Sequence, residues 1–224
     1  FGMGGRLRMR KSFRQVVSGL LAVALLLPGG LTAQAVSAAD PTASNSQIVY
    51  QETFQNGKGK ATQSGGAQLE AVTGKSFEGN DDGAALKVSN RSKNYDGVDL
   101  AFTDLGLTDG QEYSVTASVY VDTDSNPPAA GKAVLEVVTN KGVSGSEGYS
   151  EISSSDFIAG QGITLSAPLS VTSVDKTALR IKSTDAGKEV PFYIGNITIT
   201  QTAAPAEPTV VLNQSFEDGS TGGW

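Results

Sequence analysis

Tyr113-Ser114-Val115-Thr116-Ala117-Ser118-Val119-Tyr120-Val121 alternates without interruption between apolar and small polar side chains. A period of two is the mark of a strand with one buried face. Tyr113, Val115, Ala117, Val119 and Val121 are expected to enter a core. Ser114, Thr116, Ser118 and Tyr120 are expected to face solvent or a concave sheet surface. Tyr120 therefore has two readings, a ligand platform or a ring packed beneath a loop.

Outward from this strand, similar runs recur at short intervals: Gln47 to Phe54, Ala85 to Ser89, Val98 to Thr103, Glu112 to Asp122, Ala133 to Thr139, Ile163 to Ser166, Ala178 to Ser183 and Phe192 to Thr200. Turn chemistry separates them, as in Gly79-Asn80-Asp81-Asp82-Gly83, Thr108-Asp109-Gly110, Asn126-Pro127-Pro128 and Asp185-Ala186-Gly187. No window carries a helical period. The pattern predicts an all-β unit over residues 46–201, a two-sheet β-sandwich of the jelly-roll kind. With no cysteine in the chain, stability has to come from the core, which about 160 residues can supply.

Arg6, Arg8, Arg10, Lys11 and Arg14 precede the apolar run Val16 to Leu27, and small residues then lead to Val36-Ser37-Ala38. That order predicts a secretory signal peptide over 1–38 and a mature N-terminal linker over 39–45. The rival, a membrane anchor, needs about 20 apolar residues, more than this run holds. Phe1 and Gly2 precede the first methionine, so the expected start lies further in. All 23 acids follow residue 39, where twelve of the 17 bases remain, giving the mature part a net charge of −11. An acidic secreted unit is a poor partner for nucleic acid or an anionic membrane. It is expected to be extracellular, cell-wall associated and monomeric.

Ile48-Val49-Tyr50-Gln51-Glu52-Thr53-Phe54-Gln55-Asn56-Gly57 returns 162 positions later as Val210-Val211-Leu212-Asn213-Gln214-Ser215-Phe216-Glu217-Asp218-Gly219. An Ala/Pro linker, 202–209, precedes the second copy. Residues 210–224 thus read as the start of a second, truncated module, and the chain as the front of a longer modular polypeptide.

The chain contains no histidine or cysteine, which excludes Ser-His-Asp and Cys-His catalysis and thiolate or imidazole zinc sites. Carboxylate chemistry, oxygen-ligated metals and binding without chemistry remain. Glycoside hydrolysis needs two carboxyls roughly 5–10 Å apart. The acids Glu136, Glu147, Glu151 and Asp156 sit in polar segments where solvation is expected, so this fragment reads as non-catalytic. Asp81-Asp82 reads as a solvated acidic turn. Asn90-Arg91-Ser92, Asn196-Ile197-Thr198 and Asn213-Gln214-Ser215 fit a glycosylation pattern that is common by chance.

A secreted, acidic, non-catalytic β-sandwich suits polysaccharide binding. That needs flat rings for sugar faces and a few amides, carboxylates or guanidinia for hydroxyls. One sugar on a ring removes about 80–100 Å² of apolar surface from water, worth roughly 2 kcal/mol. Tyr95, in Asn90-Arg91-Ser92-Lys93-Asn94-Tyr95-Asp96-Gly97, and Tyr149, in Glu147-Gly148-Tyr149-Ser150-Glu151, lie in polar neighbourhoods and are the candidate rings with Tyr120. Arg91 is the candidate guanidinium. Tyr50, Tyr113 and Tyr193 have apolar neighbours and are expected in the core.

Phe216-Glu217-Asp218-Gly219 with a Gly-Gly-Trp turn ending at Trp224 resembles the opening of carbohydrate-binding module family 22. So do Leu86 to Gly97, then Leu107 to Tyr113 leading into Ala117 to Val121, and the closing Phe192-Tyr193-Ile194-Gly195-Asn196-Ile197-Thr198-Ile199. The similarity runs through residues 46–201. It implies a jelly roll that binds xylan, in tandem copies ahead of the family 10 barrel of a secreted endo-1,4-β-xylanase. It also implies that Tyr95 stands where the family's cleft has a tryptophan, and Tyr149 where it has a tyrosine. A family arginine falls on Gly65 or Gly66, and a tyrosine and a glutamate fall on Arg180 and Lys182. Lys182 turns an acceptor position into a donor. These departures predict weak xylan binding or none. A structural, thermostabilising spacer is therefore the alternative, and a cell-surface adhesion domain a third. The family's structural calcium would fall on Gln55, Gly195 and Asn196, which carry no carboxylate. No cofactor is assigned with certainty.

Overall fold

The computed structural model of the protein describes residues 46–202. The expected signal peptide, the segment 39–45, the linker beyond Thr202 and the second module at 210–224 lie outside the described residues. Two antiparallel sheets face each other across one apolar core. One contains β1 (Gln47–Glu52), β3 (Gln68–Val72), β4 (Ala85–Ser89), β6 (Glu112–Tyr120), β9 (Gly162–Ser170) and β11 (Phe192–Gln201). Its order is β3-β4-β11-β6-β9, with β1 also paired to β11. The other contains β2 (Thr62–Ser64), β5 (Gly97–Ala101), β7 (Lys132–Thr139), β8 (Gly148–Asp156) and β10 (Ala178–Ser183), in the order β2-β5-β10-β7-β8. This is the all-β, two-sheet sandwich that the alternation predicts.

The strand at the centre of that prediction is β6, hydrogen-bonded to β11 on one side and β9 on the other. Val115, Ala117 and Val119 are completely buried, and Tyr113 and Val121 almost so. They meet Leu100, Leu135, Leu179 and Ile181 of the facing sheet, with Phe54, Phe102 and Phe192 closing the core.

Three strands have no counterpart in the sequence reading. β2, β3 and β8 are edge or near-edge strands with mostly exposed, polar side chains, so they lack the apolar alternation that marks a half-buried strand. The segment expected at Ile163 to Ser166 extends over Gly162–Ser170, through Pro168. A proline without an N–H is tolerated there because β9 is an edge.

β7 departs from simple alternation. Ala133 and Leu135 face the core, yet Val134, Glu136 and Val138, which point to the outer face, are buried as well.

Candidate functional site

A charged row runs across that outer face. Asp99 of β5 is paired in register with Arg180 of β10, Arg180 with Glu136 of β7, and Glu136 with Glu151 of β8. Arg180 grips Asp99 with two parallel bonds, Nε to Oδ1 at 2.7 Å and Nη2 to Oδ2 at 3.0 Å. Lys141 Nζ reaches the same carboxylate at 2.8 Å, and Lys182 Nζ lies 2.9 Å from Glu136 Oε2. Asp99 is 1 % exposed and Glu136 4 % exposed. Charges so buried persist only when paired, and these are. Burial works against the Arg180 charge, but Asp99 and Glu136 outweigh it and raise the guanidinium pKa. The expectation that Glu136 is solvated is thus corrected. Its neighbours in sequence are core valines and leucines, and the strand carries it inside with them.

Two exposed tyrosines flank the row. Tyr149, 57 % exposed, opens β8, and its ring centroid is 5.9 Å from the Arg180 guanidinium. Its hydroxyl donates to Glu147 Oε2, while Glu147 Oε1 accepts the Gly142 N–H at 2.7 Å, so the ring is tied to the β7–β8 loop. The bond to Glu147 raises the Tyr149 pKa and lowers that of Glu147. Tyr95, 47 % exposed, rides on the loop 90–97. Asp96 folds that loop by accepting N–H bonds from Ser92 at 2.8 Å, Lys93 at 2.9 Å and Gly66 at 2.8 Å. Burial alone would raise the Asp96 pKa. The three backbone donors and the Arg91 charge reverse that and hold it below the ordinary carboxylate value.

Tyr95, Tyr149, Arg180, Lys182, Glu136 and Glu147 line one cleft with Ser64, Gly65 and Asn94, a volume of about 570 Å³. The fold thus assembles Tyr95 and Tyr149 with the two positions, Arg180 and Lys182, where the resemblance places cleft residues. Gly65 also borders it, at φ +60, and any side chain there would collide with Asp96 and meet the Tyr95 ring. Space opens only at Gly66. Glu136 is the cleft residue that sequence reasoning missed. The cue was its place in an apolar run, where a lone carboxylate needs a cation opposite.

Arg91 is corrected. It is buried, and its donors are spent inside the protein: Nε on Asp96 O at 2.8 Å, Nη1 on Gly187 O at 3.1 Å and Val190 O at 2.7 Å, Nη2 on Ser183 Oγ. Its guanidinium lies 4.8 Å from the Phe192 ring centroid. Burial pushes its pKa down to about 10 against the pull of Asp96. Arg91 therefore anchors the Tyr95 loop from behind and does not face the cleft.

Tyr120 belongs to the other sheet. Phe77 stacks on it at 5.0 Å between centroids, and Tyr193 leans in at 6.1 Å. Lys75 sits over both tyrosines and pairs with Asp122, which accepts the Tyr193 hydroxyl at 2.8 Å. Of its two readings the structure selects the ring packed beneath a loop, the segment 74–84. Tyr113 and Tyr193 are buried as expected, and Tyr50 is half-buried.

The positions implied for calcium border the same loop. Gln55 Nε2 donates to Asp82 Oδ2 at 2.8 Å, and Asn196 Nδ2 to Gly79 O at 2.8 Å. Asn80 Nδ2 donates to Lys75 O at 2.9 Å and Ala84 O at 2.8 Å. Calcium wants several oxygens with anionic character. Here Asp82 is already capping Ala84 N, the two buried free oxygens are neutral amides of Asn80 and Asn196, and among the described residues no three acidic side chains cluster. The residues do not fit a calcium ion. Amide hydrogen bonds cross-link the loop.

A family model described as carbohydrate binding domain matches residues 46–187. No curated protein matches the chain. Among solved structures, the CBM22-1–GH10 modules of Clostridium thermocellum endo-1,4-β-D-xylanase 10B, complexed with xylohexaose, align at 23 % identity and TM-score 0.57, over 75 % of this chain and 30 % of that one. The CBM22-1 xylan-binding domain from Paenibacillus barcinonensis aligns at 17 % identity and TM-score 0.61, over 72 % of this chain and 99 % of that one. The CBM22-1–CBM22-2 tandem domain from the same organism aligns at 19 % identity and TM-score 0.62, over 81 % and 54 %. At these identities the likeness is one of fold.

Proposed function

The chain belongs to the carbohydrate binding domain family, matched over residues 46–187, and from that membership we propose that it is a non-catalytic module holding xylan in the cleft between Tyr95 and Tyr149. The observation that carries this reading is the pair of exposed rings on one cleft, Tyr149 tied to Glu147 through its hydroxyl and Tyr95 carried on a loop folded around Asp96 and Arg91. A ring carried on a well-bonded loop or strand loses less entropy when a sugar stacks on it than one on a free segment. Two stacked sugars give roughly −4 kcal/mol, in the millimolar range. Catalysis is disfavoured by the same geometry. A glycosidase acid needs a raised pKa, whereas Glu147 is lowered by its bonds and Glu136 is committed to Lys182.

In the wider reading the N-terminal segment directs secretion. A second module begins at 210, and the pair stands ahead of an endo-1,4-β-xylanase barrel, holding it near plant cell-wall xylan by effective concentration. The module acts as a monomer, with neither nucleic acid nor membrane as partner. The second reading, a stabilising spacer, draws on the cleft floor, where Asp99 is satisfied by Arg180 and Lys141 within the protein.

Affinity electrophoresis separates them. The protein should be retarded by soluble xylan and not by glucan, and Tyr95→Ala or Tyr149→Ala should each weaken retardation about tenfold or more. Mobility that is equal in every gel would sink the binding reading in favour of the spacer.

A further inference from the structure

Within the cleft one atom is left over. Glu136 Oε2 is taken by Lys182, but Oε1 has no hydrogen-bond donor although it is buried. Arg180 Nη1 is 3.9 Å away, too far for a hydrogen bond, and that guanidinium is already fixed on Asp99. A buried acceptor left unpaired is a standing penalty in the free protein, and a ligand that supplies a donor removes it. The pairing of β7 with β8 shifts register between Leu135 and Glu136. The extra residue is Ile152 of β8, so the strand facing Glu136 is locally bent while β7 itself stays in regular register with β10. The last torsion of a glutamate is soft, so a small rotation presents Oε1 to an incoming hydroxyl.

We propose that Glu136 is a specificity-determining residue of the cleft: its Oε1 accepts one sugar hydroxyl while Lys182 Nζ donates to the adjacent hydroxyl oxygen. This rests on the carbohydrate reading above and adds to it the class of sugar. Lys182 Nζ sits 2.9 Å from the other oxygen of the same carboxylate, Oε2, so acceptor and donor stand side by side. A vicinal diol, each of whose hydroxyls both donates and accepts, complements such a couple. Lys182 offsets Glu136, and Asp99 with Glu147 offsets Arg180 and Lys141, so the cleft has no net charge and favours a neutral sugar over one bearing a carboxylate. The acceptor position that Lys182 converts to a donor is thus supplied from the neighbouring strand.

The test is an NMR titration of the carboxyl-¹³C-labelled protein with xylohexaose, alongside Glu136→Gln. The amide keeps one oxygen for Lys182 and turns the free acceptor into a donor. The Glu136 carboxyl signal of the wild type should move on the same saturation curve as the Tyr149 ring. Glu136→Gln should bind at least tenfold more weakly with a native spectrum. Should that variant fail to fold, Glu136→Gln combined with Lys182→Met, which also removes the stranded cation, should show the same loss. A Tyr149 shift without a Glu136 shift, or a Gln variant that binds like the wild type, overturns the assignment and leaves the carbohydrate reading standing. Tyr95 and Tyr149 signals that stay still at saturating xylohexaose overturn both.

Discussion

The two outer faces of the sandwich carry nearly the same inventory and put it to opposite use. Each has tyrosines, a lysine and a carboxylate bound to one another. On the six-stranded sheet, Tyr120 and Tyr193 lie under Phe77 and Lys75, and the segment 74–84 is laced over them by Asn80. On the five-stranded sheet, Tyr95 and Tyr149 stand beside a charged row, line one cleft and stay exposed. An aromatic ring becomes a plug or a platform according to which loop passes over it. The ring and its immediate neighbours in sequence do not decide the matter.

If that contrast is sound, damage on the closed face should be read in stability alone. Tyr120→Ala deletes the ring between Phe77 and Tyr193. It should cost about 2–4 kcal/mol, a fall in Tm of roughly 5–12 °C for a domain of this size. Xylan retardation below the new Tm should be unchanged. Tyr149→Ala should do the reverse, weakening retardation with Tm within about 2 °C of the parent. Thermal unfolding beside gel mobility reads both. A Tyr120 variant that keeps its Tm and loses retardation would merge the two faces into one site.

The contrast also shows how far the sequence could be read. The alternation of Tyr113 to Val121 is enough for the sandwich because period two and burial coincide at a central strand, except at Ser118, expected on the open face but buried where it bonds Gly79 O of the covering segment. It was mute for β2 and β8, whose edge positions let polar side chains stand on exposed faces. Tyr95 and Tyr149 were legible as exposed rings because only polar residues surround them in sequence. Arg91 shared that polar neighbourhood and turned inward, since its partners Gly187 and Val190 are about a hundred positions away. The burial of Glu136 is hidden from the sequence for the same reason: the cations that make it tolerable lie on another strand.

A smaller effect distinguishes the ring from the loop that holds it. Asp96 carries its pKa below the ordinary carboxylate value because three N–H donors and Arg91 favour the charged form over the cost of burial. A carboxylate depressed on folding contributes stability above its unfolded pKa and loses it as pH falls through the folded one. Asp96→Asn should therefore cost about 1–2 kcal/mol near neutrality. The gap to the parent should close as the pH drops from about 4 through the lowered value. Retardation by xylan should weaken through Tyr95, whose loop loosens. Melting curves from pH 2 to 7 check this, and a gap that stays constant across the range would remove Asp96 from the account.

The smallest expected effect is none at all, and it bears on the closed face. Were a calcium ion holding the segment 74–84, chelation would release it and lower Tm by the ion's binding linkage, roughly 3 kcal/mol at a hundredfold excess over Kd. The cross-links seen there are instead the amides of Gln55, Asn80 and Asn196, each donating to an oxygen of the loop. Neutral amides neither require nor attract a dication as carboxylates do. EDTA should leave Tm within about 1 °C, whereas Asn80→Ala, which frees the buried carbonyl of Ala84 and the part-buried carbonyl of Lys75, should cost about 2 kcal/mol. A Tm that falls with EDTA and returns with added calcium would mean that the free oxygens of Asn80 and Asn196 are ligands, and that the closed face is sealed by an ion.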